Sequence, residues 1–179
     1  MAKVPSKITP SYLENAALHY LERFASSRAN LTRVLMRKVA RSVLHWGGDA
    51  QDHAAQVDAT IEKLARLGYL NDAAYAEAKV RALHRQGKGS RTIRATLAAK
   101  GVGGDLAASA LAQLAEDVPE PDLAAAIRLA KKRRLGPFRL SDRDEMRQKD
   151  LAALARAGFD FDTCRQVIEA ESPEALEDA

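Results

Sequence analysis

The densest run of residues able to do chemistry is Arg85 to Arg94, RQGKGSRTIR, where Gly-Lys-Gly-Ser lies between basic residues. Such a stretch could cradle a phosphate. A phosphate-binding P-loop needs G-x-x-x-x-G-K-[ST] between a strand and a helix, so that successive backbone N–H groups converge on the phosphates. Aligning Gly87-Lys88 with that pattern puts Ala82 at the first glycine and Gly89 at the magnesium-binding hydroxyl, and the preceding segment reads as a charged helix. The chemistry fits a helix joint better. Gly87 takes the left-handed position that ends one helix, Lys88-Gly89 turns the chain, and Ser90 caps the next helix.

Other constellations are weaker. The histidines, His19, His45, His53 and His84, lack i, i+4 or Cys/His spacing, so they predict no metal site and are expected at the surface or its boundary. The single cysteine, Cys164, precludes an intramolecular disulfide and, beside Phe161 and Val167, reads as a buried structural thiol. Asp72, Asp105, Asp122, Asp142 and Asp162 fall where a carboxylate meets a helix N-terminus. No serine, cysteine or histidine grouping pairs a nucleophile with a base. The expectation is no catalytic residue, no cofactor and no enzyme activity.

Charge is the informative feature. The net charge of +4 hides a segregated distribution. Tyr75 to Gly101 carries Lys79, Arg81, Arg85, Lys88, Arg91, Arg94 and Lys100 against the single acid Glu77. Ile127 to Arg139 carries Arg128, Lys131, Lys132, Arg133, Arg134 and Arg139 with no acid. Asp160 to Ala179 is instead acidic, with seven carboxylates against Arg165. An ordinary solvated helix face interleaves Glu with Lys, so the acid-free runs point to a polyanion or an acidic protein surface. Arg81 with Arg85, and Arg128 with Lys132, are four apart and share helix faces. Neutralising about six phosphates would give a log–log salt slope of roughly −5. With only 5% aromatic residues, nucleic-acid contact should be backbone-directed and sequence-tolerant.

The elements that must position these residues are helices. Hydrophobic residues make up 46% of the chain, largely Ala and Leu, and no segment alternates β-branched residues with period 2. Thr9-Pro10 opens a first helix with Leu13, Ala17, Leu18 and Leu21 on its stripe, and Ser27 caps a second that has no stop before Gly47-Gly48. A third, with Val57, Ile61, Leu64 and Leu67 inward, ends at Gly68. A fourth begins at Asn71 or Asp72 and ends at Gly87; a fifth runs from Ser90 to Gly101; a sixth covers about Asp105 to Ala115. After the acidic linker EDVPEPD come a seventh from Asp122 to about Arg134, an eighth from Ser141 to Ala157 and a ninth from Asp162 to about Ala170. No run approaches the ~20 apolar residues of a membrane span, the start lacks the apolar core of a signal peptide, and a cytoplasmic location is expected.

The helices repeat. A shift of 62 positions lays Leu18 on Val80, Leu21 on Leu83, Leu31 on Ile93, Leu35 on Leu97 and Lys38 on Lys100; a shift of 57 lays LAAKGVGGD on LARAGFDFD. The predicted architecture is all-α: three tandem three-helix repeats forming an elongated, curved array without a β-sheet, each unit leaning on its neighbour. The expected boundaries are a flexible tail over 1–8, repeat 1 over 9–70 with an elongated second helix, repeat 2 over 71–116, repeat 3 over 117–171 with an insertion near 134–143, and an acidic tail over 172–179.

These residues carry a family resemblance. ALHYLERFASSRANLTRVLMRK and IEKLARLGYLNDAAYAEAKVRALHRQGKGSRTIRATLAAKGV resemble the first and central blocks of the RecX family of recombinase regulators, over about residues 12 to 170. The second stretch is the specific one, with Gly-Tyr-Leu-Asn-Asp, the Gly-Lys-Gly turn and the Leu-x-x-Lys-Gly ending in family order. Val39 stands where the first Lys-Gly ending would place glycine, and Ala157-Gly158 replaces the last. The resemblance implies a monomer that binds RecA and its filament on single-stranded DNA, with double-stranded DNA secondary. It implies restraint of recombinase, ATPase and co-protease activities in DNA repair and the SOS response. Gly68, Leu70, Asp72, Gly87 and Gly101 then read as fold determinants. The working surface would be Lys79, Arg81, Arg85, Lys88, Arg91, Arg94, Lys100, Arg128, Lys131, Lys132, Arg133 and Arg134. Two rivals remain at this level: a stand-alone duplex-binding protein of tandem helix-turn-helix type, and a helical protein-interaction scaffold.

Overall fold

The structure is a computed structural model that describes residues 4–176. The ends of both predicted tails, residues 1–3 and 177–179, lie outside the described residues. Among the described residues the chain forms nine α-helices and no strand: α1 Pro10–Leu21, α2 Arg28–Trp46, α3 Ala54–Arg66, α4 Asp72–Arg85, α5 Ser90–Ala99, α6 Gly104–Asp117, α7 Pro121–Arg133, α8 Arg143–Ala157 and α9 Phe161–Glu169. Short 3₁₀ turns precede α3, follow α7 and close the described chain.

Local chemistry sets most boundaries as the sequence predicts. The Thr9 hydroxyl accepts the Tyr12 N–H at 3.1 Å, with Pro10 in the first turn, and Ser27 accepts from Asn30 N–H at 3.2 Å. With valine at position 39 instead of a terminating glycine, α2 runs on to Trp46. The start of α4 is settled in favour of Asn71, whose Oδ1 accepts the Ala74 N–H at 3.0 Å.

Four expectations are corrected. Leu67 is 61% exposed, because α3 ends at Arg66 and the left-handed Gly68 turns the chain one residue too soon for Leu67 to face inward. Ser90 starts α5 without capping it; its own N–H is taken by the Asp122 carboxylate at 2.9 Å. The ninth helix, expected from Asp162, begins one residue earlier at Phe161, because Asp160 caps it by accepting from Thr163 N–H at 2.7 Å; Asp162 lies in its first turn. His84 is buried, with its Nε2 2.9 Å from the Pro121 carbonyl oxygen, because Pro121 opens α7 against the end of α4.

The chain forms two compact units. The first holds the described residues through Tyr75 together with Lys100–Val102; the second holds Ala76–Ala99 and the chain from Gly103. In the first, Leu13, Leu31, Leu35, Val39, Val57 and Leu64 form the centre of the core. In the second, Leu129, Leu151, Leu154, Phe159, Val167 and Ile168 do so, and Cys164 is buried among them, where burial pushes its thiol pKa up. The thiol is buried, as expected.

The same joint is built once in each unit. In the first, the Ser27 hydroxyl donates to the Lys100 carbonyl and the Arg28 N–H donates to Asp72 Oδ1 at 2.8 Å. In the second, Gly89 N–H donates to the Ala157 carbonyl at 3.0 Å and Ser90 N–H to Asp122 Oδ1. Gly89 and Ser90 stand 62 positions after Ser27 and Arg28, and Ala157 stands 57 after Lys100, which are the two sequence shifts. In each joint the next repeat's first helix supplies a carboxylate to an orphan N–H of the preceding repeat's second helix. The Lys-Gly or Ala-Gly end of that next repeat supplies the carbonyl. Small residues are needed there. A side chain at Gly101 would collide with Ala29, and a Cβ at Gly89 would lie 2.5 Å from the Gly158 carbonyl carbon and oxygen.

Candidate polyanion-facing surface

The structure gives the predicted cations different surroundings. Lys100 belongs to the first unit, where its Nζ lies 3.4 Å from Asn30 Oδ1. The others belong to the second. On α4, Arg81 pairs with Asp117 at 3.2 Å, whereas Lys79 and Arg85 have no ion pair among the described residues. The turn after α4 packs on α7: a Cβ at Gly87 would lie 3.1 Å from Leu129 Cβ, and Arg128 Nη1 donates to the His84 carbonyl at 3.2 Å. Arg85 and Lys88 thus flank, in sequence, the two positions, His84 and Gly87, at which the end of α4 meets α7. Lys132, Arg133 and Arg134 are exposed at the end of α7, and no described acid pairs with them.

Arg91 and Arg94 are occupied differently. Arg91 Nη2 donates to the Ala155 carbonyl at 2.7 Å, a cation placed on the last turn of α8 where the helix dipole favours it. Arg94 lines a cavity of about 520 Å³ together with Leu111, Glu120, Asp122, Leu123 and Gln166. Arg81, Arg91 and Arg128 therefore hold structural contacts, and Arg85, Lys88, Lys132 and Arg133 carry charge that the described fold does not use.

Two features escaped the sequence reading. Between Arg28 and Trp46, α2 bears Arg28, Arg33, Arg37, Lys38 and Arg41 without one acid, a signal as readable as the two runs above. The other is Asp150, 1% exposed in the middle of α8. Its Oδ2 accepts from Gly136 N–H at 2.9 Å and from Arg139 Nε at 2.6 Å, and its Oδ1 accepts from Arg139 Nη2 at 2.7 Å. Burial alone would raise the Asp150 pKa; the hydrogen bonds from Arg139 and Gly136 and the guanidinium charge outweigh it and hold the carboxyl below the usual carboxylate range. Arg139, counted above among the basic run, is thus the partner of a buried acid.

Among the described residues no group of three or more metal-ligating side chains comes together, and no helix is long and apolar enough to cross a membrane. Fold and surface define an all-helical protein of tandem three-helix repeats with cations left over for a partner. A family model described as RecX, second three-helix domain, matches residues 71–111. The regulatory protein RecX of Myxococcus xanthus (strain DK1622) is 47% identical over 169 residues, covering 93% of this chain and 89% of that protein. That of Agrobacterium fabrum (strain C58 / ATCC 33970) is 34% identical over 176 residues, covering 96% and 89%. The crystal structure of RecX from Lactobacillus salivarius superposes with a TM-score of 0.66 at 26% identity, covering 89% of this chain and 94% of that one. The chain belongs to the RecX family of regulatory proteins.

Proposed function

We propose that this protein binds the RecA recombinase, chiefly as its filament on single-stranded DNA, and restrains its recombinase, ATPase and co-protease activities without catalysing a reaction itself. The observation that carries this reading is the 47% identity to a regulatory protein RecX across 93% of the chain. The unmatched cations of the second unit support it. Arg85, Lys88, Lys132 and Arg133 would meet DNA phosphate or acidic protomer surface and hold neighbouring protomers against their nucleotide-dependent rearrangement. The protein would act in the cytoplasm as a monomer, in DNA repair and the SOS response.

The charges chosen for testing avoid those that hold the fold. Arg85→Glu, Lys88→Glu, Lys132→Glu and Arg133→Glu combined should raise the concentration for half-inhibition of RecA ATPase by at least about tenfold, or 1.4 kcal/mol. Circular dichroism should show the helix content unchanged. A folded quadruple variant that inhibits as the unaltered protein does would remove this surface from the mechanism.

A further inference from the structure

The first unit carries an acid-free groove that the reading above does not use. It lies between residues 4–6, α1 and α2, has a volume of about 490 Å³, and is lined on one side by Lys38 and Arg41 and on the other by Pro5 and Tyr12, with Asn15 and His19 between. The volume is that of a small-molecule site, roughly 300–1,000 Å³. Other cavities are electrostatically different: the one holding Arg94 includes Glu120 and Asp122, and one beside α8 includes Asp144 and Glu169.

The nearby acids are accounted for. Glu14 of α1 is turned to Lys63 at 2.7 Å, and Glu22 faces His19 Nδ1 at 3.4 Å; neither lines the groove. Lys38 and Arg41 have no ion pair among the described residues, so their charge is available. The basic face continues toward the start of α2: Arg37 precedes Arg41 by four residues, about 6 Å along the helix axis. The groove wall is fixed in place by Trp46, whose Nε1 donates to the Pro5 carbonyl at 2.8 Å and whose ring lies 5.0 Å from Lys7 Nζ.

We propose that this face of the first unit is a single-stranded polynucleotide site. Lys38 and Arg41 hold a phosphodiester, one unstacked base enters the groove against Tyr12, and the strand continues along Arg37. A cationic rail beside an aromatic wall suits a strand whose bases are free to leave the stack, and excludes one whose bases are paired. The site does not require RecA, so it stands or falls independently of the surface proposed on the second unit.

The test titrates the full chain into a labelled oligothymidylate of about 20 nucleotides, across a salt series and without RecA. Lys38→Gln with Arg41→Gln should weaken binding about tenfold and reduce the log–log salt slope by about 0.7, the share of the one phosphate they hold. Tyr12→Ala should weaken binding about tenfold and leave the slope unchanged. Trp46 is the sole tryptophan, so its emission should respond to the oligonucleotide in the unaltered protein and lose that response in the double variant. A folded double variant with unchanged affinity and slope would overturn the site. A duplex bound as tightly as the single strand would overturn the base-in-groove reading, and equal competition by poly-L-glutamate would replace it with an acidic peptide.

Discussion

Gly89→Ala is expected to destabilise the protein by about 3 kcal/mol and lower its Tm by roughly 6–12 °C. A new Cβ would sit 2.5 Å from the Gly158 carbonyl carbon and oxygen and 2.7 Å from the Phe159 ring. Two of these three atoms are backbone, which cannot rotate away as a side-chain end can, and Phe159 is buried in the core of the second unit. Relief therefore means separating the start of α5 from the end of α8. That separation breaks the Gly89 N–H bond to the Ala157 carbonyl at 3.0 Å. Gly104→Ala is the matched control: its Cβ meets nothing within 4 Å in the first turn of α6, so its effect should stay within about 0.5 kcal/mol of zero or be stabilising. Urea unfolding of the two variants checks the contrast. Equal midpoints would mean that the joint is looser than its geometry.

Asp150→Ala should cost a comparable amount, about 3 kcal/mol, since removing one partner of a buried ionic cluster leaves the others without compensation. The loss has two parts. Gly136 N–H would keep no acceptor in a buried turn, and Arg139 would lose both of its carboxylate oxygens, freeing residues 134–142 between α7 and α8. Asp150→Asn retains one acceptor oxygen and should fall between the unaltered protein and the alanine variant. Acid provides a further check. Because the folded carboxyl lies below its unfolded value, its contribution is present above that value, near pH 3.9, and is lost as pH falls through the lower, folded pKa. The stability gap between the unaltered protein and Asp150→Asn should therefore be constant above about pH 5 and narrow below about pH 4. A gap independent of pH down to acid unfolding would contradict the ionic reading.

How far the sequence carried these conclusions depended on how local each cause was. Thr9-Pro10, Ser27 and the glycines that end α3 and α4 act within one turn of themselves, so their positions could be read directly. The repeat was legible too, because the 62- and 57-residue shifts superpose glycines as well as apolar residues. The partners of the joint were not legible. Nothing around Ser90 announces that Asp122, 32 residues later, takes its N–H, and a serine there looks like the cap that it is not. His84 was misplaced for the same reason: its burial is created by Pro121. Asp150 follows Lys149 in a helix of alternating charge and resembles a solvated acid until Arg139 returns from the turn before α8. The basic face of α2 is different, since its lack of acids over 19 residues is plain in the sequence and was overshadowed by the downstream runs that carry more cations.

The central claim, that RecA on single-stranded DNA is the target, is tested most directly by co-sedimentation of the unaltered protein across a salt series. The arms are RecA–DNA filament, RecA alone and DNA alone. The protein should pellet with the filament at concentrations where DNA alone retains little of it, and added salt should release it. Equal recovery with DNA whether or not RecA is present would contradict the claim, and would leave a DNA-binding protein in place of a recombinase regulator.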